Sequence, residues 1–348
     1  MKALLIHAAH DLRLEEVAEP TYGPDEVLVR LGAGGICGSD LHYFAHGGVG
    51  DFKLREPMTL GHEVAGEVVA AGQGVSRVKV GDRVAVNPSR PCLHCEQCLS
   101  GHSNLCPNMR FFGSAARFPH VQGAFAELFV ARQDQCEILP PDMNYAVAAC
   151  AEPLAVTLHA AAQAGPLLGT QVLVVGAGPI GSLLAASARL SGATAVTVTD
   201  LQDAPLNVAT RMGASHTVNV RTEVLEGTFD VAFEASGSPA GLASALGALR
   251  PGGRLVQVGI LPSGLTQAPL NKAISREITF IGSFRFHREY AWAVKLLAAG
   301  RIDVTPMLSA RFPFSRAPEA FALAADRERA VKVSLVPDSV LVSDRANA

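Results

Sequence analysis

Residues 171–181 read QVLVVGAGPIG. A short apolar run enters a G-x-G-x-x-G turn, and the residues that follow suit the start of a helix. This pattern predicts a buried parallel strand whose turn presents backbone amides to a pyrophosphate at the N-terminus of the next helix. The residues predicted to bind a dinucleotide here are Gly176, Gly178, Pro179, Ile180 and Gly181.

An acidic residue follows this turn at the spacing that dinucleotide binding requires. A second predicted strand, 195–199, runs into Asp200, nineteen residues after Gly181. A carboxylate at that distance typically binds both ribose hydroxyls of NAD. No Lys or Arg follows until Arg211, so an adenosine 2′-phosphate would meet a negative charge without a nearby cation. We therefore predict NAD as the cofactor, with NADP as an alternative.

The alternation of strands and helices continues toward the carboxyl end. Strands are predicted at 229–234, 254–259 and 278–281, and a helix at 239–249. This order is typical of a doubly wound parallel sheet. Its ligand lies at the carboxyl ends of the strands, so we predict that Gly259, Ile260 and Leu261 lie near the nicotinamide. Two more helices are predicted at 288–299 and 313–325.

A metal-binding pattern precedes this sheet. Residues 37–43 read CGSDLHY and residues 61–63 read GHE. A thiolate, an imidazole and a carboxylate suit a borderline-soft divalent cation, and so few protein ligands leave an open position, as in catalytic zinc sites. Cys37 and His62 are the predicted ligands. The alternative is that an isolated Cys and an isolated His are packing residues.

Neighbouring side chains complete this predicted site. Asp40 is placed to orient His62 by accepting its second ring hydrogen. The Ser39 hydroxyl and the His42 imidazole are placed to relay a proton away from the open position. Glu152 begins a helix and is either a helix-dipole charge or, with Glu63 as the competing candidate, a third or alternating metal ligand.

Four cysteines crowd into one loop. Residues 92–98 read CLHCEQC, and a fourth cysteine follows eight residues later. This spacing can close a tetrahedral four-thiolate zinc site that has no open position for chemistry. The alternatives are a redox dithiol, which needs only two of the four cysteines, and an iron–sulfur cluster. The predicted structural zinc ligands are Cys92, Cys95, Cys98 and Cys106. The loop is poor in Lys and Arg apart from Arg90 and Arg110, which argues against nucleic acid.

Composition narrows the class of protein further. The 348 residues carry a formal net charge of -3, with 29 basic and 32 acidic residues, which favours neither nucleic acid nor an anionic membrane surface. No signal-peptide core precedes the first charged residues, and seven cysteines are an odd number, so we predict a cytoplasmic protein without a disulfide framework. The uncharged stretch 153–188 is broken by Gly and Pro and predicts helix, strand and helix rather than a membrane span.

In this order, the motifs resemble the zinc-containing medium-chain dehydrogenases over essentially the whole chain, and within them the sorbitol dehydrogenase branch. The segments that carry the closer resemblance are GGICGSDLHY at 34–43, NPSRPC at 87–92, MRFFGSA at 109–115, FPHV at 118–121, AEPLAV at 151–156 and GSFRF at 282–286. The resemblance implies an α/β chain with a GroES-like β-barrel catalytic domain and a doubly wound Rossmann domain. It assigns residues 1–152 to the catalytic domain, 153–284 to the NAD-binding domain, 285–337 to a return to the catalytic domain, and 338–348 to a flexible tail.

The resemblance also implies the chemistry. Cys37 and His62 would hold the catalytic zinc with Glu63 or Glu152 nearby, the four loop cysteines the structural zinc, and a homo-dimer or homo-tetramer would form. The substrate would be a polyol or a sugar acid whose secondary alcohol gives a hydride to the nicotinamide. Ser283, Phe284 and Arg285 are predicted to contact the cofactor.

Three arginines compete to bind a sugar-acid carboxylate. They are Arg110, Arg117 and Arg285, of which Arg285 is preferred, with Tyr43 and Phe111 lining the same pocket. Phe286 stands where sorbitol dehydrogenases usually carry Tyr, which argues against a plain polyol. A non-catalytic NAD-binding protein is the remaining alternative, and the intact set of ligand and relay residues argues against it.

Overall fold

A computed structural model describes residues 1–339, so the predicted tail at 338–348 lies outside the described residues from 340 onward. The first part of the chain is built of antiparallel strands. They are β1 (Lys2–Ala8), β2 (Asp11–Glu16), β3 (Glu26–Gly35), β4 (Gly48–Val49), β5 (Phe52–Lys53), β6 (Met58–Thr59), β7 (Glu63–Ala71), β8 (Arg83–Val86), β9 (Ser89–Arg90), β10 (Arg110–Phe111), β11 (Leu128–Arg132) and β12 (Cys136–Ile138). Two helices lie between them, α1 (Gly38–His46) and α2 (Glu96–Leu99).

The second part alternates strands and helices. Its strands are β13 (Gln171–Val175), β14 (Ala195–Asp200), β15 (His216–Asn219), β16 (Phe229–Glu234), β17 (Leu249–Gln257) and β18 (Thr279–Gly282). Its helices are α3 (Tyr145–Ala149), α4 (Ala151–Gln163), α5 (Pro179–Leu190), α6 (Asp203–Arg211), α7 (Pro239–Ala248), α8 (Leu270–Ser275) and α9 (Glu289–Ala298). The chain then forms β19 (Leu308–Pro313), α10 (Ala317–Ala325) and β20 (Lys332–Val336).

The second group of strands forms the predicted doubly wound sheet. Its order is β15-β14-β13-β16-β17-β18, and every neighbouring pair is parallel. The order reverses between β13 and β16, where ligands bind in such sheets. Both faces are covered by helices, so β13 and β16 are almost entirely buried and consist largely of apolar residues. The fold class predicted for this half is confirmed.

The first group forms a seven-stranded sheet that the end of the chain completes. Its order is β12-β8-β7-β3-β20-β19, with β11 also paired to β3. The strand β20 pairs with residues 34–35 of β3, next to the predicted metal site. The domain boundaries predicted at 152/153 and 284/285 stay predictions. A buried cluster that includes Ala65, Leu154, Leu183 and Tyr290 packs the two halves against each other.

The structure corrects the start of one predicted helix and shows where the long apolar run of the chain lies. The helix predicted at 313–325 is wrong at its start, because Pro313 ends β19 and the helix begins at Ala317 after a single 3₁₀ turn. Pro318, in the first helical turn, marks the true start, where a missing N–H costs nothing. The run Tyr145–Gln163 is long and apolar enough to cross a membrane, yet 67% of its most apolar window is buried inside the fold, as in a core helix.

Candidate active site and metal centres

The first metal group forms where α1 meets the start of β7. Cys37 is the N-cap of α1, and His62 and Glu63 lead into β7. One ligand atom from each of Cys37, His62 and Glu63 lies within 4.8 Å of the other two. Gly61 has a φ of 94°, and a Cβ there would lie 2.3 Å from the Phe125 ring, so only glycine brings His62 to this position.

Asp40 links the two segments that carry the ligands. Its Oδ2 accepts a hydrogen bond from Cys37 N at 2.9 Å, and its Oδ1 accepts one from Gly61 N at 3.4 Å. The same Oδ1 lies 3.8 Å from His62 Nδ1, too far for a direct hydrogen bond. Nε2 of His62 faces the Ser39 hydroxyl at 3.5 Å instead. Burial raises the pKa of Asp40.

The donor set of this group fits zinc. Sulfur, nitrogen and oxygen donors converge in a buried place, which is the mixture that zinc accepts. Burial and the neighbouring Glu63 carboxylate raise the pKa of the Cys37 thiol to about 12. The thiolate that binds a metal is therefore favoured only with a cation beside it.

Sequence reasoning missed the partner of Glu63. Lys332, on β20, forms a buried ion pair with Glu63 and donates a second hydrogen bond to Ile36 O at 3.1 Å. Burial acts to lower the pKa of Lys332, but the charges of Glu63, Cys37 and Cys150 outweigh it and raise the pKa. The only signal was a lysine at the head of a largely apolar segment, KVSLV.

Glu152 lies in the first turn of α4, as predicted, but outside the metal-sized group. Burial raises the pKa of Glu152 to about 8, although the nearby His62 acts to lower it. The group of Cys37, His62 and Glu63 thus favours Glu63 as the nearer carboxylate. The choice of third ligand between Glu63 and Glu152 stays a prediction.

The four-cysteine loop also has the dimensions of a zinc site. The sulfurs of Cys92, Cys95, Cys98 and Cys106 all lie within 4.8 Å of one another. Cys106 Sγ is 3.8 Å from Cys95 Sγ and 3.5 Å from Cys92 Sγ. A tetrahedron with bonds of about 2.3 Å has sulfur–sulfur edges of about 3.8 Å. The backbone N–H of Cys92 also donates to Cys106 Sγ at 3.3 Å, which stabilises a thiolate.

A cleft of about 620 Å³ lies between the four-cysteine loop and the segment that carries Arg285, and its lining among residues 1–339 includes none of Cys37, His62 and Glu63. Phe111 and Arg285 line it, and the Phe111 ring also contacts the His62 ring, with centroids 5.5 Å apart. Arg110 and Arg117 line the outer part, where Arg117 is bound to the backbone oxygens of 107 and 109. Tyr43 is buried, and its hydroxyl accepts a hydrogen bond from Ala115 N at 2.9 Å.

Phe286 lies away from the cleft. Its side chain is 1% exposed and packs on the Tyr290 ring within the core that joins the two halves of the chain. It is not among the residues that line the cleft. That the missing hydroxyl at Phe286 disfavours a neutral polyol stays a prediction.

The glycine turn has the shape of a pyrophosphate site. Gly176 has a φ of 100°, and a Cβ on Gly181 would lie 1.7 Å from Gly176 O. Gly178 is the N-cap of α5, and a Cβ there would meet nothing within 4 Å, so the turn is open toward a ligand. Pro179 and Ile180 begin the helix. At the end of β14, Asp200 Oδ2 accepts a hydrogen bond from Ala177 N at 2.7 Å, which places its carboxylate against the turn.

The predicted nicotinamide end lies in a second cavity of about 450 Å³. Ile260 and Leu261 line it together with His42, although His42 is far from them in sequence. Gly259 fits because a Cβ there would lie 2.3 Å from Gly237 N. Ser283 Oγ, next to the exposed Phe284, is buried without a hydrogen-bond partner among residues 1–339, and its contact with the cofactor stays a prediction.

One further residue of this region escaped the sequence analysis. Glu234 ends β16 and is fully buried. Its carboxylate accepts hydrogen bonds from the backbone N–H groups of Ser236 and Gly237 and from Gln257 Nε2. It therefore fixes two of the loops that surround the nicotinamide end. A lone acidic residue at the end of an apolar strand was its only signal.

Fold and site together define a class, the zinc- and NAD(P)-dependent oxidoreductases built from a GroES-like part and a dinucleotide-binding sheet. The pattern of the alcohol dehydrogenase GroES-like domain matches residues 23–141, and that of the zinc-binding dehydrogenases matches residues 179–299. The chain is 42% identical to the L-idonate 5-dehydrogenase (NAD(P)(+)) of Escherichia coli K12 over 315 residues, which cover 89% of this chain and 91% of that protein. It is 37% identical to the sorbitol dehydrogenase of Bacillus subtilis over 350 residues, 97% of this chain and 98% of that protein.

Solved structures of dehydrogenases have the same fold as this chain. The crystal structure of the Escherichia coli L-idonate 5-dehydrogenase superposes with a TM-score of 0.92 at 40% identity, covering 96% of this chain and 97% of that one. A Sinorhizobium meliloti protein solved with NADP has a TM-score of 0.88 at 31% identity, and the coverage is 97% of this chain and 99% of the other. The chain belongs to the zinc-containing medium-chain dehydrogenases, in the sorbitol dehydrogenase branch.

Proposed function

We propose that this enzyme oxidises the secondary alcohol of a sugar acid with NAD(P), and that the substrate is L-idonate, which gives 5-keto-D-gluconate. The observation that carries the proposal is the environment of Arg285. Its guanidinium lies 4.3 Å from the centroid of the Phe111 ring and 4.8 Å from that of Phe284, stacked against both aromatic side chains in the cleft.

This guanidinium lacks an acidic partner in the described part of the chain. Among residues 1–339, no carboxylate lies within ion-pair distance of Arg285, whereas the buried Glu63 is paired with Lys332. Burial lowers the pKa of Arg285 to about 10, against the attraction of the more distant Glu152. A desolvated cation without a counterion favours an anionic ligand, and a guanidinium can grip both oxygens of a carboxylate. The carboxylate end of a sugar acid supplies that anion.

The reaction follows from the residues around this ligand. When bound, zinc would supply a Lewis acid that makes the substrate hydroxyl more acidic, and NAD(P) would take up the hydride. Ser39, beside His62 Nε2, would accept the hydroxyl proton. His42, which lines the second cavity, would receive that proton. The two side chains are not hydrogen-bonded to each other among the described residues.

Initial rates test this proposal. NADH formation is measured with L-idonate and with sorbitol for the wild type, Arg285→Ala and the matched control Arg110→Ala, which removes an exposed arginine from the same cleft. Loss of a charge-assisted bidentate contact costs about 1.5–3 kcal/mol, so Arg285→Ala should raise the KM for L-idonate about 10- to 100-fold. The KM for sorbitol should change less than about threefold, and Arg110→Ala should behave as wild type.

A neutral polyol dehydrogenase is the second candidate. It is supported by the similarity to sorbitol dehydrogenases and by the burial of Phe286 away from the cleft. Faster oxidation of sorbitol than of L-idonate by the wild type, with equal effects of Arg285→Ala on both, would favour this candidate and exclude the sugar acid.

We further propose a cytoplasmic homo-oligomer. All seven cysteines lie among the described residues and none is paired in a disulfide, which suits a reducing compartment. The edge of β18 is open in the described chain, and Phe280 and Ile274 are exposed beside it. Such an edge is covered when a second copy pairs with it around a two-fold axis. Phe280→Asp should therefore give a smaller particle in light scattering, and an unchanged mass would contradict this interface.

A further inference from the structure

The segment that carries Arg285 has an unfavourable backbone conformation. Arg285 has a φ of 55°, in the left-handed region that residues with a side chain seldom adopt. Such a conformation persists only where the surrounding structure holds it. The segment 284–287 lies between β18 and α9, in neither a strand nor a helix, so contacts from elsewhere must fix it.

Two of these contacts come from the four-cysteine loop. Asn104 Nδ2 donates a hydrogen bond at 3.0 Å to the carbonyl oxygen of Phe284, directly before Arg285. Ser103 Oγ lies 2.5 Å from His287 Nδ1, two residues after it. Ser103 and Asn104 belong to a 3₁₀ turn that ends at the ligand Cys106. Asn104 is buried, so its amide has few alternative partners.

The other side of the segment is attached to the helices beneath it. His287 N donates to Glu289 Oε2 at 2.7 Å, and Glu289 Oε1 lies 3.2 Å from His159 Nδ1 on α4. The Phe286 side chain is fixed in the core. Within the described chain, the cleft-facing side of the segment is therefore held by the loop residues, while its inner side is held by α4 and α9.

We propose that Ser103 and Asn104 are positioning residues that hold the Arg285 guanidinium toward the substrate. Their attachment makes the four-cysteine loop part of the specificity apparatus as well as a structural element. The prediction of substrate effects rests on the proposed function, whereas the prediction of segment order rests on the hydrogen bonds alone. A shift of about 1 Å in a binding group can cost up to about 100-fold in rate, so the attachment has measurable consequences.

The test uses the full-length, zinc-loaded enzyme. The variants are Ser103→Ala, Asn104→Leu, which keeps the branched shape of the side chain and removes the donor, and the double variant. Ser100→Ala is the matched control, because Ser100 lies in the same loop and its hydroxyl bonds only to Gln97 and His102 there. Zinc content, hydrogen exchange of a peptide spanning 284–288, and KM and kcat for L-idonate and sorbitol are measured for each.

We expect the double variant to keep its zinc and to exchange the 284–288 amides at least about tenfold faster, because local opening becomes easier. The KM for L-idonate should rise about tenfold, as for a lost hydrogen bond of about 1.4 kcal/mol, with kcat and the KM for sorbitol within about threefold of wild type. Ser100→Ala should change none of these quantities.

The inference would be overturned if a zinc-loaded double variant showed unchanged hydrogen exchange of the 284–288 amides and an unchanged KM for L-idonate. If the double variant loses zinc, the same measurements on Ser103→Ala alone test the inference, because Ser103 is only half-buried. Faster exchange together with an L-idonate preference that is insensitive to Arg285→Ala would refute the proposed function and the role of Ser103 and Asn104 toward the substrate, and would leave only their ordering of the segment 284–288 standing. A preference that depends on Arg285 but not on Ser103 or Asn104 would refute only the positioning role.

Discussion

The buried ion pair between Lys332 and Glu63 makes the sharpest stability prediction. The two side chains are 2% and 1% exposed, so water screens neither charge. Lys332→Met keeps the length and apolar volume of the stem but leaves the Glu63 carboxylate buried without its partner. The hydrogen bond from Lys332 to Ile36 O is lost as well.

Two estimates of the free energy of unfolding lost in Lys332→Met agree. Unit charges about 3 Å apart attract each other by about 5 kcal/mol at an effective dielectric constant of about 20. Removal of one partner from a buried pair typically destabilises a protein by about 3–5 kcal/mol. We therefore expect Lys332→Met to lower the free energy of unfolding by about 3–5 kcal/mol.

Urea denaturation of zinc-free preparations measures this change, because a bound zinc ion would itself neutralise the Glu63 carboxylate. With a slope of about 3 kcal/mol per molar urea, the unfolding midpoint should fall by about 1 M or more. The double variant Glu63→Gln with Lys332→Met leaves no unpaired charge and should recover more than half of the loss. The control Lys295→Met, at an exposed position on α9, should stay within about 0.5 kcal/mol of wild type. A single variant as stable as wild type, or a double variant as unstable as the single one, would refute the reasoning.

Three further predictions concern His42, Asp200 and the four-cysteine loop. Partial burial, with His46 and Arg327 nearby, lowers the pKa of His42 from 6.5, so the neutral imidazole that accepts the proton persists below pH 6.5. The acidic limb of the pH profile of kcat/KM should therefore lie below pH 6.5. In His42→Gln this limb should vanish and the rate should be lower. Asp200→Ala should raise the KM for NAD about tenfold and the KM for NADP less, and equal changes would contradict its role at the ribose. Metal analysis should find two zinc ions per chain in the wild type and about one in Cys95→Ser, while an unchanged ratio would exclude the four-cysteine site.

Much of the fold could be predicted because its signals are local. The turn from Gly176 to Gly181, the carboxylate of Asp200 and the spacing of the loop cysteines each lie within one short stretch of chain. Backbone geometry and ligand spacing fix such stretches whatever surrounds them. The helix predicted from 313 was wrong in part for the same reason, since a short apolar run suits a strand end as well as a helix.

The contacts that join distant residues depended on the tertiary structure. The sequence identified His62 and Glu63 but not Lys332, whose strand reaches Glu63 only because β20 pairs with β3. It identified Arg285 but could not show that the guanidinium stacks on Phe111 without an acidic partner among residues 1–339, or that Phe286 packs in the core.

The sequence by itself therefore determined the class of protein, its cofactors and the residue types of its site. Only the tertiary structure decided which carboxylate lies nearest Cys37 and His62, how the buried charges are balanced, and which side chains bond to residues 284 and 287. The physical reason is that hydrogen-bond periodicity and ligand spacing act over a few residues. Burial and charge pairing depend on segments that packing brings together from opposite ends of the chain.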